Sequence, residues 1–378
     1  MKFALNDEQA ALQDATRDFL TSRCTSDGVR NAMVSERGYD LDLYHALCGE
    51  LGLASLIIAE DLGGFGASDV ELAVVAEQMG YFLASTPLRT HIGAQIAVME
   101  CAIAYKRSEH LAQLVSGEEI ATIIYADEVA RDFGTELAVD MESGGVVLSA
   151  TFEQVLFALD AKHLYFFVGV GDSADLVYVD LQQDGVVRSV VPSLDQTIPL
   201  TKIVLTGVFA QVISDDETKT RYGRARSRSI IAATNEMVGS TQAVLDMSVA
   251  YAKDRFQFGR AIGSFQSIKH KCADMLLESE SARSIALFGA WLASQPAGFT
   301  SDDLEDDLDH IASMAKYYCS HALSHAAGEN IQIHGGIGFT FEHDAQLYFK
   351  RAAFMNAHLG LPREHAVMLS EDLINRQY

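Results

Sequence analysis

The strongest constraint on the fold of this chain is that its apolar residues change their period twice. Residues 1 to about 115 carry apolar positions at helical spacing, including Leu12, Ala15, Phe19 and Leu20. From residue 121 to residue 205 the apolar positions form short β-branched or aromatic runs separated by Asp, Gly and Ser. From about residue 217, long alanine-rich helical periodicity returns. The sequence therefore predicts helices, then an antiparallel sheet or small barrel, then helices again.

Individual elements can be predicted within this order. Asn6 to Gln9 has the composition of a capped helix start, and Gly63, Gly64 and Gly66 mark a loop before a helix over 70–79. The acidic run 301–307 predicts a solvated break or the acidic first turn of the next helix. Strands are predicted at 121–125, 145–149, 164–168, 176–179, 186–191 and 203–205. Later helices are predicted at 228–255, 265–293, 308–328 and 343–355, the last of these being the final helix.

The charge and cysteine content exclude several classes of protein. The net charge of −24, from 28 basic and 52 acidic residues, argues against nonspecific nucleic-acid binding and against docking on anionic lipid. Five cysteines without a CxxC spacing predict neither a disulfide framework nor a metal site, and they favour a cytoplasmic protein. The N-terminus lacks the apolar core of a signal peptide. No apolar run reaches about 18 residues, so no membrane span is expected.

Two segments near the C-terminal end carry chemistry. The first runs Tyr251-Ala-Lys-Asp-Arg255-Phe-Gln-Phe258-Gly259 and continues to Phe265-Gln266. The second runs Gln332-Ile-His-Gly335-Gly336-Ile-Gly338-Phe339. An arginine offers a planar, permanently charged fork to a diphosphate, and paired glycines let backbone N–H groups approach phosphate or ribose oxygens. Taken singly, such an arginine is usually a surface charge at a helix end, and such glycines are usually a helix cap.

The two segments together resemble the acyl-CoA dehydrogenase family, and Glu60-Asp-Leu-Gly-Gly-Phe-Gly66 is similar to its Pro-Glu-x-x-Gly-Gly-x-Gly segment. The resemblance implies an N-terminal α-helical domain (1–118), a middle β-barrel domain (119–216) and a C-terminal four-helix bundle (217–378). It also implies FAD as cofactor. The residues expected to bind the ADP half of a FAD shared at a subunit interface are Arg255, Phe258, Gln266, Gln332, Gly335 and Gly336.

The resemblance also shows what is missing. The family removes a proton α to a thioester carbonyl, which needs a carboxylate base. One usual position of that base falls on Leu359-Gly360, and the other falls on Ser229, so neither carries a carboxylate. Glu236, two turns after Ser229, is either a displaced base or a hydrogen-bonded helix carboxylate, and the second interpretation is favoured. His358 is a remote second choice for the base.

The middle region lacks family features as well. After the strand ending at Tyr125, the segment to Gly134 has neither the Pro nor the Gly-Ser pair of the loop that surrounds the flavin ring in the family. The family's Trp-Ile-Thr strand has no counterpart, since the only tryptophan is Trp291. Groups that act on a neighbour's flavin are therefore kept, while groups that act on the chain's own flavin are lost.

This pattern predicts a subunit of a heterotetrameric (α2β2) acyl-CoA dehydrogenase, as in bacterial degradation of steroid side chains. The chain would contribute ADP contacts while a related partner subunit supplies the catalytic Glu, with a bulky acyl-CoA as substrate and an electron-transfer flavoprotein as acceptor. One alternative is a self-sufficient homo-oligomeric dehydrogenase with Glu236 as its base. Another is a scaffold subunit without flavin contact.

Overall fold

The computed structural model describes residues 5–125, 138–142, 145–169, 174–297, 299 and 308–377, and it forms two compact units. The helical unit comprises Met1–Ser26, Asp69–Ala84 and Ile230–Tyr378. The sheet unit comprises Asp27–Ser68 and Ser85–Ser229. The predicted acidic break at 301–307 lies outside the described residues.

The described helices and strands follow the predicted order. The helices are α1 (Asp7–Arg23), α2 (Ser26–Val34), α3 (Leu41–Gly49), α4 (Asp69–Tyr81), α5 (Leu88–Cys101), α6 (Ala104–Leu114), α7 (Tyr222–Asp254), α8 (Gln266–Ala293), α9 (Leu308–His334), α10 (Ala345–Ala357) and α11 (Pro362–Gln377). The strands are β1 (Ala121–Ile124), β2 (Ala138–Glu142), β3 (Gly145–Leu156), β4 (His163–Val168), β5 (Asp175–Asp180), β6 (Val186–Val191), β7 (Leu200–Val212), β8 (Phe256–Gln257) and β9 (Arg260–Ala261).

The predicted cap of α1 is confirmed as a capping box. The Asn6 side chain accepts a hydrogen bond from the Gln9 backbone N–H at 2.8 Å, and the Gln9 side chain accepts one from the Asn6 N–H at 3.0 Å. Two backbone donors that the helix leaves unpaired are thereby satisfied.

Within the helical unit, α4 and α7 cross with their backbones in contact. A Cβ added at Gly80 would lie 1.9 Å from the carbonyl oxygen of Glu236, and a Cβ added at Gly239 would lie 1.8 Å from the carbonyl oxygen of Glu77. Only glycine allows this approach. This close crossing therefore fixes the position of Glu236 relative to α4.

Among the described residues, the sheet unit has seven strands in the order β1-β4-β5-β7-β3-β2, with β6 also paired to β7. β1 pairs with β4 in parallel, and the other described pairs are antiparallel. Register shifts in the β3–β7 ladder indicate bulges, which bend strands. The predicted barrel is therefore confirmed in the coarser form of a curled sheet, or half-barrel, between helical segments at both ends of the chain.

Several boundaries differ from the predictions; β3 extends to Leu156 instead of 149, and α7 begins at Tyr222 instead of 228. The helix predicted at 343–355 is not the final one, since α11 follows it; the polar surface of α11 gave only a weak apolar stripe. Helix α9 extends six residues beyond the predicted 328 and ends at His334, so that Gln332 lies in its last turn. Strand β7 is much longer than the predicted 203–205, because it pairs with three other strands.

Candidate functional site

Arg255 lies directly after α7, at the start of a two-stranded hairpin that we call the hairpin segment (255–266). Its backbone N–H donates to the Tyr251 carbonyl at 2.9 Å and its carbonyl accepts from Ile262 at 2.8 Å, which fix the backbone on both sides. The side chain is exposed and makes no hydrogen bond or ion pair within the part of the chain that the structure describes. The guanidinium is thus available to an anion.

The tip of this hairpin is a strained two-residue turn. Phe258 and Gly259 both have positive φ, 53° and 77°, as a type I′ hairpin turn requires. A positive φ is unfavourable for a bulky side chain, and Phe258 is also 90% exposed. Such strain at an exposed position is typical of a residue retained for an interaction.

The second predicted segment forms the end of α9, and we call it the glycine segment (332–336). Gln332 is exposed in the last helical turn, and Gly335 leaves the helix with φ of 63°. A Cβ added at Gly335 or Gly336 would have no atom within 4 Å. The backbone of both glycines therefore faces open space, which suits close approach by a ligand.

Side-chain contacts between α7 and α9 place these two segments close together. The Ser248 hydroxyl donates to the Asn330 side-chain oxygen at 2.8 Å. One turn further on, the Tyr251 ring stacks on the His334 ring, with centroids 4.2 Å apart and an interplanar angle of 28°. Arg255 and Gly335 follow these two rings in sequence. The two helices are parallel here and end at the same level, so the segments that follow them lie side by side.

Gln266 lies at the same end of the helical unit. Helices α8 and α9 are antiparallel, as shown by contacts of Lys271 with Glu329, of Glu278 with His325, and of Ala282 with Cys319. Since residue numbers rise on α8 as they fall on α9, the exposed Gln266 is level with the end of α9. All six predicted contact residues thus lie on the two segments, with Phe258 at the hairpin tip.

The two family positions for a catalytic base are closed in this chain. Leu359 is 1% exposed, and its backbone carbonyl accepts a hydrogen bond from the buried His365 at 3.0 Å. Ser229 is buried in the sheet unit, where its hydroxyl forms a hydrogen bond with the Tyr125 hydroxyl. Neither side chain is a carboxylate. His358 stacks on Phe354 beside the Leu359 position.

Glu236 lies in a buried ion pair. Its Oε1 accepts from Nη1 of Arg351 on α10 at 2.7 Å, and Arg351 is 1% exposed. A buried carboxylate is normally paired in this way, because the free charge would be costly to desolvate. The pair joins α7 to α10 next to the crossing at Gly80.

Sequence reasoning gave no role to three of the residues that organise this region, namely Tyr251, His334 and Arg351. Tyr251 and His334 stand inside the two quoted motifs, at four and one residues before Arg255 and Gly335. Only their distance in space identifies them as partners. The predicted loss of the ring-contacting loop after Tyr125 concerns residues 126–134, which lie outside the described part of the chain.

Two further features are absent from the described residues. No group of three or more His, Cys, Asp or Glu side chains could hold a metal ion. No helix there is both long enough and apolar enough to cross a membrane.

Comparison with known proteins identifies the fold family. The family model of the acyl-CoA dehydrogenase N-terminal domain matches residues 6–118, and that of the C-terminal domain matches residues 225–360. The acyl-CoA dehydrogenase IpdE2 of Mycolicibacterium smegmatis is 31% identical over 98% of this chain and 100% of its own length. This chain belongs to the acyl-CoA dehydrogenase family.

Two solved structures share the fold over nearly the whole chain. A variant of the Tcur3481-Tcur3483 steroid ACAD has a TM-score of 0.84 at 24% identity, covering 98% of both chains. The ChsE4-ChsE5 complex of Mycobacterium tuberculosis has a TM-score of 0.85 at 22% identity, covering 99% of both chains.

The cofactor of this family is FAD, and the two segments fit its ADP half. The exposed Arg255 offers a cation to a diphosphate. The open space at Gly335 and Gly336 leaves room for the ligand. The exposed amides of Gln266 and Gln332 offer polar contacts. The exits of α7 and α9 are helix C-termini, whose partial negative charge disfavours a phosphate. A cation such as Arg255 would offset this charge.

Proposed function

We propose that this chain is a subunit of an FAD-dependent acyl-CoA dehydrogenase that desaturates a bulky acyl-CoA at its α,β bond. In this proposal, Arg255, Phe258, Gln266, Gln332, Gly335 and Gly336 contact the ADP half of a FAD that is shared with a related partner subunit. The partner supplies the catalytic Glu. When bound, FAD supplies the oxidising group, and an electron-transfer flavoprotein is the proposed acceptor.

A single contrast carries this proposal. The hairpin and glycine segments are side by side with an exposed, uncommitted Arg255, whereas both family base positions hold buried residues that cannot accept a proton from a thioester. A chain that kept its own complete active site would need a carboxylate at one of them. The two similar structures, a steroid ACAD and the ChsE4-ChsE5 complex, support a bulky substrate and a partner subunit.

The organisation that goes with this function is also a proposal. We divide the chain into an N-terminal helical domain (1–118), a middle domain (119–216) and a C-terminal domain (217–378). The four-helix bundle of the last would consist of α7, α8, α9 and the α10–α11 pair. The buried pair of Glu236 and Arg351 is then a structural element of this bundle.

The deciding experiment compares the chain purified alone with the chain co-expressed with the related dehydrogenase subunits encoded near its gene. We expect a colourless single chain and a two-component complex with a flavin absorption spectrum, both followed by visible spectroscopy and by mass. A yellow homo-oligomer that is reduced by an acyl-CoA would contradict the proposal and would return attention to Glu236 as a base. A complex whose flavin content does not depend on Arg255 would favour the scaffold alternative.

A further inference from the structure

The two flavin-contacting segments belong to different helices, so their spacing depends on how α7 and α9 are aligned. Three contacts near the C-terminal ends of these helices contribute to that alignment. The Asn330 side-chain oxygen accepts from the Ser248 hydroxyl at 2.8 Å, the Asn330 amide lies 3.4 Å from the Met247 sulfur, and Tyr251 stacks on His334. The stack is the last of these before the helices end.

Two contacts besides the stack hold the His334 ring in place. His334 is 4% exposed, and its Nδ1 donates to the Asn330 carbonyl at 2.8 Å, which fixes the plane of the imidazole. The His343 ring lies against His334 with its centroid 4.4 Å away. Burial lowers the pKa of His334, so the ring is neutral at neutral pH and packs as a flat aromatic group.

The position of the stack makes it a spacer between the segments. Arg255 lies one helical turn after Tyr251, and its backbone N–H donates to the Tyr251 carbonyl. Gly335 is bonded directly to His334. A shift of either ring would therefore move the Arg255 guanidinium relative to the glycine backbone. The Tyr251 hydroxyl makes no hydrogen bond within the described residues, so the ring alone carries this contact.

We propose that Tyr251 and His334 are positioning residues that set the distance between the two ADP-contacting segments, and that their stack determines FAD affinity. This inference rests on the proposed function. It assigns a role to two side chains that need not touch the flavin themselves. It also predicts that the aromatic ring at position 251 matters and that its hydroxyl does not.

The test uses the complex of this chain with its partner subunit, stripped of flavin and titrated with FAD, with binding followed by quenching of FAD fluorescence. Tyr251→Leu removes the stack, and we expect FAD affinity to fall about three- to tenfold, the range for loss of an aromatic pair. Tyr251→Phe keeps the ring and should retain the affinity of the unchanged complex. His334→Leu removes the same stack from the α9 side and should resemble Tyr251→Leu.

Phe288→Leu is the matched control. Phe288 stacks on Trp291 at an interplanar angle of 20°, and it lies about 33 Å along α8 from Gln266. It should lower the melting temperature in the same way as Tyr251→Leu without changing FAD affinity. Equal affinity losses in Phe288→Leu and Tyr251→Leu would assign the effect to general destabilisation and overturn the inference.

Two outcomes separate this inference from the proposed function. If Arg255→Ala loses flavin while Tyr251→Leu and His334→Leu bind it normally, the shared site stands and the positioning role is wrong. If Arg255→Ala keeps its flavin, the proposed function itself fails. If neither Tyr251→Leu nor His334→Leu folds, the stack is a requirement of the fold and the inference is likewise overturned.

Discussion

The hairpin and glycine segments differ from the two family base positions in the exposure and hydrogen bonding of their residues. At the segments, Arg255 is exposed without a described partner, and Gly335 and Gly336 face open space. At the base positions, Leu359 is fully packed and Ser229 is bonded to Tyr125. Exposed polar groups without a hydrogen-bond partner are available to a ligand when the backbone holds them in place. Buried groups that are packed or hydrogen-bonded instead stabilise the fold. The difference supports the proposal that this chain completes another subunit's site.

The largest expected effect comes from trying to reopen a closed base position. Leu359→Glu would place a carboxylate in an apolar site, on a residue whose φ is 57°. We expect a loss of about 3–5 kcal/mol in the free energy of unfolding and no dehydrogenase activity from the chain alone. Thermal unfolding and an acyl-CoA oxidation assay measure both.

Ala357→Glu is the control for this variant, because Ala357 is exposed two residues earlier at the end of α10. It should change stability by less than about 1 kcal/mol. A stable, active Leu359→Glu chain would show that the position is open after all and would break the contrast between the two regions.

Arg255→Ala tests the open region. A charged hydrogen-bond donor to a diphosphate contributes about 2–3 kcal/mol, so FAD affinity of the complex should fall roughly 30- to 150-fold. Arg255→Lys keeps the charge but not the fork, and we expect an intermediate loss. Arg363→Ala removes another exposed arginine of the helical unit and should leave flavin binding unchanged. The flavin content of the purified complex reports all three.

Acid should destabilise the sheet unit, which contains the closed Ser229 position. His91 Nε2 donates to the Leu114 carbonyl at 2.8 Å and its Nδ1 accepts from the Ala121 N–H, so the fold requires a neutral ring. Burial lowers the pKa of His91 to about 4, against 6.5 for an unperturbed histidine. Between these values the unfolded chain binds a proton that the folded chain does not.

The contribution of neutral His91 to the free energy of unfolding should therefore be complete above pH 6.5. It should be lost as the pH is lowered towards 4, which lowers the free energy of unfolding by on the order of 3 kcal/mol. Urea unfolding at several pH values measures the slope. His91→Gln, which cannot be protonated, should flatten it. An unchanged slope in that variant would show that other groups control the acid sensitivity.

The smallest effect is expected at the hairpin tip, where strain and exposure meet in one residue. Phe258→Asn creates the Asn-Gly pair that a type I′ turn favours, so the isolated chain should gain about 1 kcal/mol in stability. The complex should at the same time bind its partner or FAD more weakly, because an exposed ring is lost. Melting temperature and flavin affinity are the two measurements.

Phe256→Asn is the matched control, since Phe256 is also exposed but occupies a regular strand position. It should lose affinity without gaining stability. If Phe258→Asn stabilises the chain and leaves binding intact, the strained ring serves no interaction and the open region is smaller than proposed.

The local patterns of the sequence predicted much of the fold. The boundaries of β6 were predicted at 186–191, where strand and turn residues alternate clearly, and the capping box at Asn6 followed from adjacent residues. The end of α9 was predicted six residues too early, because Gly328 suggested a stop that tertiary packing overrides. Helix α11 was missed because its exposed surface gives a weak apolar stripe.

The sequence by itself determined the helix–sheet–helix order, the two motifs and the absence of a carboxylate at both base positions, since each depends on residue type and spacing along the chain. Only the tertiary structure decided that Arg255 is uncommitted, that Glu236 pairs with Arg351, and that Tyr251 stacks on His334. These contacts join residues that are 83 to 115 positions apart. Their formation depends on how whole helices align, which no local pattern encodes.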